Sequence, residues 1–253
     1  GGNDFDIAIY TGNFSDYTFT ISNKKVTVVD NRSSTNDGTD TLSNIEKLTF
    51  ADKNALVTSK EVKGITSLGF KSEKVYSGKS DTYKFYDLGS DKYGVETSNG
   101  IDELTGSSIL KFDDKNMHLV NDVKATFDQV TGLNTDSGKM FRLYNASFKR
   151  LPDPDGLRYW IGNFSSGNDD ERAIASSFLA SDEFKQRYGE NLSDSIYVNT
   201  LYKNVLGRDA DTGGLNYWLG QLNSGAETRY EVLLGFSESA ENKGLFTEMT
   251  GLG

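Results

Sequence analysis

Apolar and polar residues alternate with period two through the first part of the chain. IAIY (7–10), YTFTIS (17–22) and KVTVVD (25–30) each put apolar side chains on one face and polar ones on the other. That pattern predicts half-buried strands. Gly, Asn and Asp break these runs, and Asn36-Asp37-Gly38 reads as a hairpin turn. From about residue 122 the period lengthens. VKATFDQV (123–130), KMFRLYNASF (139–148), RAIASSFL (172–179) and IYVNTLYKNVL (196–206) space apolar residues three and four apart, which predicts helices buried along one side. Ser181-Asp182-Glu183 and Ser193-Asp194 fit helix starts, where a side-chain oxygen caps free N–H groups and acidic residues suit the dipole. Gly167, Gly189, Gly207 and Gly225 fall where helices should end.

The chain also repeats itself. LYNASFKRLPDPDGLRYWIGNFSSG (143–167) returns without a gap as LYKNVLGRDADTGGLNYWLGQLNSG (201–225), with every position shifted as Trp160 is to Trp218. A displacement held over so long a span marks a duplicated structural unit. A looser repeat runs through the strand-like part. IYTG (9–12) matches VYSG (75–78), NDGTDTL (36–42) matches SNGIDEL (98–104), and LTFADKN (48–54) matches LKFDDKN (110–116), the displacement shrinking by a few positions along the way. The expected fold is α+β and modular. Two small all-β modules, roll- or sandwich-like, are expected at 1–60 and 66–120. An all-α duplicated domain is expected at 122–253, with repeats at 143–188 and 201–246.

Composition narrows the functional classes. The 253 residues carry a formal net charge of −10, which argues against a nucleic-acid partner and against an anionic membrane surface. No apolar run approaches the ~20 residues needed to span a bilayer. The chain opens GGND without an initiator Met and reads as a fragment or processed piece. Cysteine is absent and His118 is the single histidine. Disulfides, thiolate catalysis, Cys-ligated zinc and most His-based triads are thereby excluded. Acidic pairs such as Asp113-Asp114 and Asp169-Asp170 read as solvated surface, and no GxSxG, HExxH or phosphate-cradling loop occurs. No catalytic residue is expected.

Carboxylates and carbonyls suit a hard cation such as calcium. The nonapeptide GGNDFDIAI (1–9) follows G-G-x-G-x-D-x-U-x except for Asp4 in place of the third glycine and the small Ala8. Here the chain resembles the tail of an RTX, hemolysin-type calcium-binding array, followed by the β module of type I-secreted bacterial proteins. The resemblance implies an extracellular, calcium-loaded setting, with Asp4 and Asp6 as candidate ligands. Asp30, Asp37 and Asp40, with carbonyls near Gly38, form a second candidate calcium set, although their spacing is not that of an EF-hand. The competing reading is a plain hairpin turn with Asp40 bonding local backbone.

In the helical half the pattern LY-xxx-F/L-xR-xx-D-xx-GL-x-YW resembles domain-of-unknown-function family 4214, over roughly 138–246. The resemblance implies a place near the C-terminus of secreted bacterial surface proteins and implies no reaction. Within the motif, Asp153 and Asp211 stand three residues before Gly156 and Gly214, and Arg150 and Arg208 three residues before those acids. Each Asp is placed to cap a helix and each Arg to pair with it. A calcium loop is the alternative, weakened because only one carboxylate recurs in both copies. Trp160 and Trp218 read as core, or as platforms for sugar rings; Tyr159 and Tyr217 are the better candidates for exposed contacts to a glycan or partner. The expected function is a non-catalytic attachment or assembly module of a secreted, calcium-associated cell-surface protein, of surface-layer or adhesin type. Its partner would be a surface polysaccharide, a surface layer or another copy of itself. The alternative is a carbohydrate-binding module.

Overall fold

The structure, a computed structural model, describes residues 6–253. The chain has a strand-rich part followed by a helical part, an α+β architecture, and divides into two compact units. One comprises Gly1–Phe127 with Leu245–Gly253, the other Asp128–Gly244.

The first copy within the strand-rich unit contains β1 (Ile7–Ile9), β2 (Tyr17–Ser22), β3 (Lys25–Asp30), β4 (Thr39–Ser43), β5 (Lys47–Thr49) and β6 (Asn54–Val57). After β7 (Val62–Phe70), the second copy contains β8 (Glu73–Val75), β9 (Phe85–Asp87), β10 (Tyr93–Thr97), β11 (Gly100–Thr105), β12 (Ile109–Lys111) and β13 (Asn116–His118). Alternation placed β2 and β3 because Val26 and Val28 turn into a core with Tyr10, Tyr17, Leu48, Phe50 and Ala55.

The duplication extends to contact geometry. β1 runs parallel to β5, which is antiparallel to β6; β8 and β12 with β13 repeat that arrangement. Tyr10 stacks on Phe50 at 5.4 Å and 15°, and Tyr76 on Phe112 at 5.3 Å and 15°. Tyr17 tilts against Phe50 at 5.0 Å, as Tyr83 does against Phe112 at 5.1 Å. Asp52 accepts the Phe14 N–H and Asp114 the Ser80 N–H, each at 2.7 Å.

The two copies are not separate modules, contrary to the expectation from sequence. Among the described residues, β1-β5-β6-β7-β11-β10-β9 form one sheet, flanked by three-stranded sheets β2-β3-β4 and β13-β12-β8. The joint is β7, antiparallel to β6 (Ala55↔Gly64) and parallel to β11 (Ile101↔Ile65). In VKGITSLGF the apolar Val62, Ile65 and Leu68 stand three apart, so period two does not reveal it. The C-terminal segment also belongs here: Glu248 accepts the Ser59 N–H at 2.6 Å, and Phe246 and Met249 are buried.

The helix expected at 123–130 is instead a wide π-type turn over Leu119–Lys124 running into a short α1 (Ala125–Phe127). Thr126 bonds back to the Asp122 carbonyl at 2.8 Å, a local bond that competes with regular helix. Then follow α2 (Asp136–Phe148), α3 (Pro154–Ser165), α4 (Glu171–Ala180), α5 (Asp182–Tyr188), α6 (Asp194–Val205), α7 (Thr212–Ser224), α8 (Arg229–Ser237) and α9 (Ala240–Thr250). Starts at 136, 154, 171 and 182 recur at 194, 212, 229 and 240, each at the displacement that carries Trp160 onto Trp218. The repeat is therefore four helices. Ser181 and Ser193 accept the Phe184 and Ile196 N–H groups at helix starts. Gly167, Gly189, Gly207 and Gly225 follow helices with φ of 73°, 96°, 64° and 70°, values that a β-carbon disfavours.

Candidate functional site

Each helical repeat builds the same polar clamp in the loop between its first two helices. Asp153 has extended backbone and accepts the Gly156 N–H at 2.7 Å; Asp211 accepts that of Gly214 at 2.8 Å. These are N-caps, as the spacing suggested. The Tyr144 hydroxyl donates to the other Asp153 oxygen at 2.7 Å. A β-carbon at position 156 would stand 2.6 Å from Asp153 Oδ1 and 2.8 Å from the Tyr144 oxygen, and one at 214 would run into Tyr202. Close approach of the tyrosine is thus why glycine recurs there.

Arg150 lies over the rings of Tyr144 (5.2 Å) and Phe148 (5.7 Å) and 3.6 Å from Asp153. Its main partner is Glu183, gripped through Nε at 2.6 Å and the terminal nitrogen at 2.9 Å. Arg208 repeats this over Tyr202 (4.9 Å), with Asp211 at 3.4 Å and Glu241 at 2.8 and 2.9 Å. Two-pronged pairs of this kind are strong and directional. Burial pushes the Tyr144 phenol well above its ordinary range, and its bond to Asp153 adds to this. Burial alone would raise Asp153, yet hydrogen bonds from Tyr144 and the Gly156 N–H outweigh it and hold the carboxyl below its usual range. Burial disfavours the charge on Arg150, but Glu183 overcomes it and the guanidinium stays protonated. The clamp is a fixed charge network that holds a loop.

Beside each clamp an aromatic stack leads from the core to the surface. Tyr159 meets Trp160 edge-on at 4.9 Å and 79°, and Trp160 meets buried Phe178 at 5.1 Å. Tyr217 meets Trp218 at 5.0 Å and 72°, and Trp218 meets Phe236 at 5.5 Å. Tyr159 is 59% and Tyr217 54% exposed. The two tryptophans are half-buried, so they join core to surface rather than filling the core outright.

The acidic loop is organised around an arginine. Asp30 accepts from Arg32 Nε at 3.0 Å, from its terminal nitrogen at 2.6 Å and from the Asp37 N–H at 2.7 Å. Asp37 accepts from the Thr11 N–H and hydroxyl, each at 2.8 Å, from Tyr17 at 2.5 Å and from Arg32 at 3.2 Å. The bond to Arg32 leads in holding Asp30 far below the ordinary carboxylate range, and the bond from Tyr17 leads in lowering Asp37. With their oxygens so engaged, these two acids do not fit a calcium site; the cation they hold is Arg32. Asp40 lies on β4 opposite Val28 and acts on the Tyr10 phenol, which burial, with Asp40 beside it, pushes well above its ordinary range. The Asp6 carbonyl accepts from Glu46 and Lys47, and its N–H donates to Glu46 at 2.8 Å. Asp4 lies outside the described residues. Among the described residues no three carboxylate or histidine side chains converge as a metal ligand set.

Sequence reasoning missed Glu183 and Glu241, although the repeat displacement relates them too. It also missed Arg142. This side chain, 1% exposed, donates to both oxygens of Glu238 at 2.7 Å and to the Leu133 carbonyl at 2.5 Å. Its counterpart in the second repeat is Thr200, so the pair joins the first repeat to the second without being repeated.

The features described define a tandem pair of four-helix units, each with a capped loop and an aromatic stack. Residues 175–246 match the family described as "Domain of unknown function (DUF4214)". No curated protein and no solved structure matches the chain. Among the described residues, no helix is long and apolar enough to cross a membrane.

Proposed function

We propose that this chain is a non-catalytic attachment module of a secreted cell-surface protein, and that Tyr159 and Tyr217 are its equivalent contact points for a repetitive surface polysaccharide. The observation that carries this reading is the pair of exposed tyrosines, each braced edge-on by a tryptophan at the same place in its repeat. A rigid aromatic with two torsions loses little entropy on binding and presents a face to the C–H groups of a sugar ring. Two such points, one in each repeat, suit a ligand that itself repeats, because the second contact is intramolecular once the first has formed. Calcium, expected from the likeness to RTX arrays, remains in the proposal only for the nonapeptide that holds Asp4 and Asp6.

A glycan array probed with the full chain, with and without calcium, tests the proposal. Tyr159→Ala and Tyr217→Ala should each weaken binding about tenfold, the equivalent of roughly 1.4 kcal/mol per ring, while the far-UV circular dichroism stays unchanged. Glycan binding that survives the double substitution would remove the tyrosines from the site. Self-association lost in the same variants, with no glycan bound, would replace the polysaccharide by a second copy of the protein.

A further inference from the structure

One strand of the second β copy has a neighbour that its counterpart in the first copy lacks. β11 lies between β10 and β7, and β7 pairs with it in parallel through Ile101↔Ile65, Asp102↔Thr66 and Glu103↔Ser67. Covered on both edges, β11 keeps Ile101, Glu103 and Leu104 at 1%, 4% and 0% exposure. Its counterpart in the first copy, by the match of SNGIDEL to NDGTDTL, is β4. There β3 occupies one edge and, among the described residues, no strand occupies the other. Thr39, Asp40, Thr41 and Ser43 are all exposed.

The outer edge of β4 is ready for pairing. The Asp30 N–H bonds the Gly38 carbonyl, and pairing to β3 alternates along the strand. The N–H and C=O groups of Thr39, Thr41 and Ser43 therefore point away from β3. The β3–β4 register runs without a shift, and Thr39–Ser43 contains no lysine, proline or bulge, the usual devices for blunting an edge. Its one charge, Asp40, has as counterpart Asp102, which sits inside a fully paired strand. The glycines tell the same story. A β-carbon on Gly100 would strike the Gly64 carbonyl of β7, whereas the space beside Gly38 is open.

We propose that the outer edge of β4 is a strand-docking site that takes, in parallel, an extended β7-type segment supplied by another β unit of this kind. The existing joint supplies the precedent: β7 leaves β6 of one copy and completes β11 of the next. Main-chain bonds would give the affinity, and the spaced Val62, Ile65 and Leu68 of β7 define the apolar side chains such a segment needs.

The test grafts a second copy of the β7 sequence, VKGITSLGF, onto the full chain so that its last residue replaces Asp4, which stands as far before Ile9 as Phe70 stands before Val75. Amide hydrogen exchange of Thr39, Thr41 and Ser43 should slow at least tenfold. A graft carrying Ile65→Pro and Thr66→Pro should give no such protection, and amides of β5 and β6 should be unchanged in both. Unaltered exchange in the unbroken graft would overturn the proposal, as would equal protection from the proline graft. Protection of these amides in the ungrafted chain that grows with concentration would also overturn it, by making a second copy's β4 the occupant.

Discussion

Arg142→Met should cost the helical unit about 3 kcal/mol, the low end of what removing one partner of a buried pair costs. Arg142 is 1% exposed and makes three charge-assisted contacts to Glu238 at 2.7–3.0 Å, while Glu238 is 29% exposed and also has Lys243 at 3.2 Å. Removing one partner of a buried pair typically costs about 3–5 kcal/mol, because a charge is left in a poor dielectric. Partial hydration and Lys243 keep the cost of stranding Glu238 at the low end of that range, and methionine fills most of the vacated volume. The assay is urea unfolding followed by tryptophan fluorescence, since Trp160 and Trp218, the two tryptophans of the chain, both lie in Asp128–Gly244. Adding Glu238→Met should recover about 2 kcal/mol, since exchanging a whole buried pair for apolar side chains is often near neutral. Burial raises the Glu238 pKa, but Arg142 outweighs it and the net shift is downward. The pair's stabilisation is therefore fully present above the unfolded carboxyl pKa and is lost as pH falls through the folded one. Arg142→Met should flatten that acid limb. A single-variant cost below about 1 kcal/mol, or a double variant whose losses simply add, would refute the reasoning.

Further expectations follow from the clamp and the acidic loop. Arg150→Ala should destabilise by about 2–3 kcal/mol and Arg208→Ala by less than about 1 kcal/mol, because the same contacts are made by side chains 17% and 39% exposed. Equal midpoints in urea would show that depth does not set the difference. Arg32→Gln should leave Asp30 and Asp37 repelling each other, lower the thermal midpoint in chelator and make it recover in millimolar calcium, whereas the unaltered loop should show no calcium-dependent shift of the Thr11 or Asp37 resonances. Calcium shifts at those resonances with Arg32 in place would contradict the fit argued for this loop.

How much was legible depended on how local the cause is. The bounds of β2 and β3, the Ser181 and Ser193 caps and the left-handed glycines all follow from a few neighbouring residues. Asp153 could be read as a cap because its acceptor and the Gly156 N–H are three residues apart. Arg150 was paired with Asp153 for the same reason, yet its closer partner, Glu183, is 33 residues away. Periodicity carries no information about such a pair, although the shared displacement of Glu183 and Glu241 does. Arg142 has not even that signal, since its pair with Glu238 is not duplicated. The loop acids illustrate the opposite error. Carboxylate density suggested a cation and missed that the chain supplies one itself, two residues after Asp30. β7 escaped notice because Val62, Ile65 and Leu68 stand three apart and a bulge at Leu68 shifts its register against β11, so no two-residue alternation survives.

That the closing segment, Leu245–Gly253, belongs to the strand-rich unit has a practical corollary. Severing the backbone after Phe127 does not yield two self-sufficient pieces. The N-terminal fragment would lack Phe246, Met249 and the Glu248 carboxylate that receives the Ser59 N–H. The C-terminal fragment would carry those same residues as an orphaned greasy tail. Nor does a second incision near Gly244 separate them cleanly, because it would cut through α9, the last helix of the second repeat.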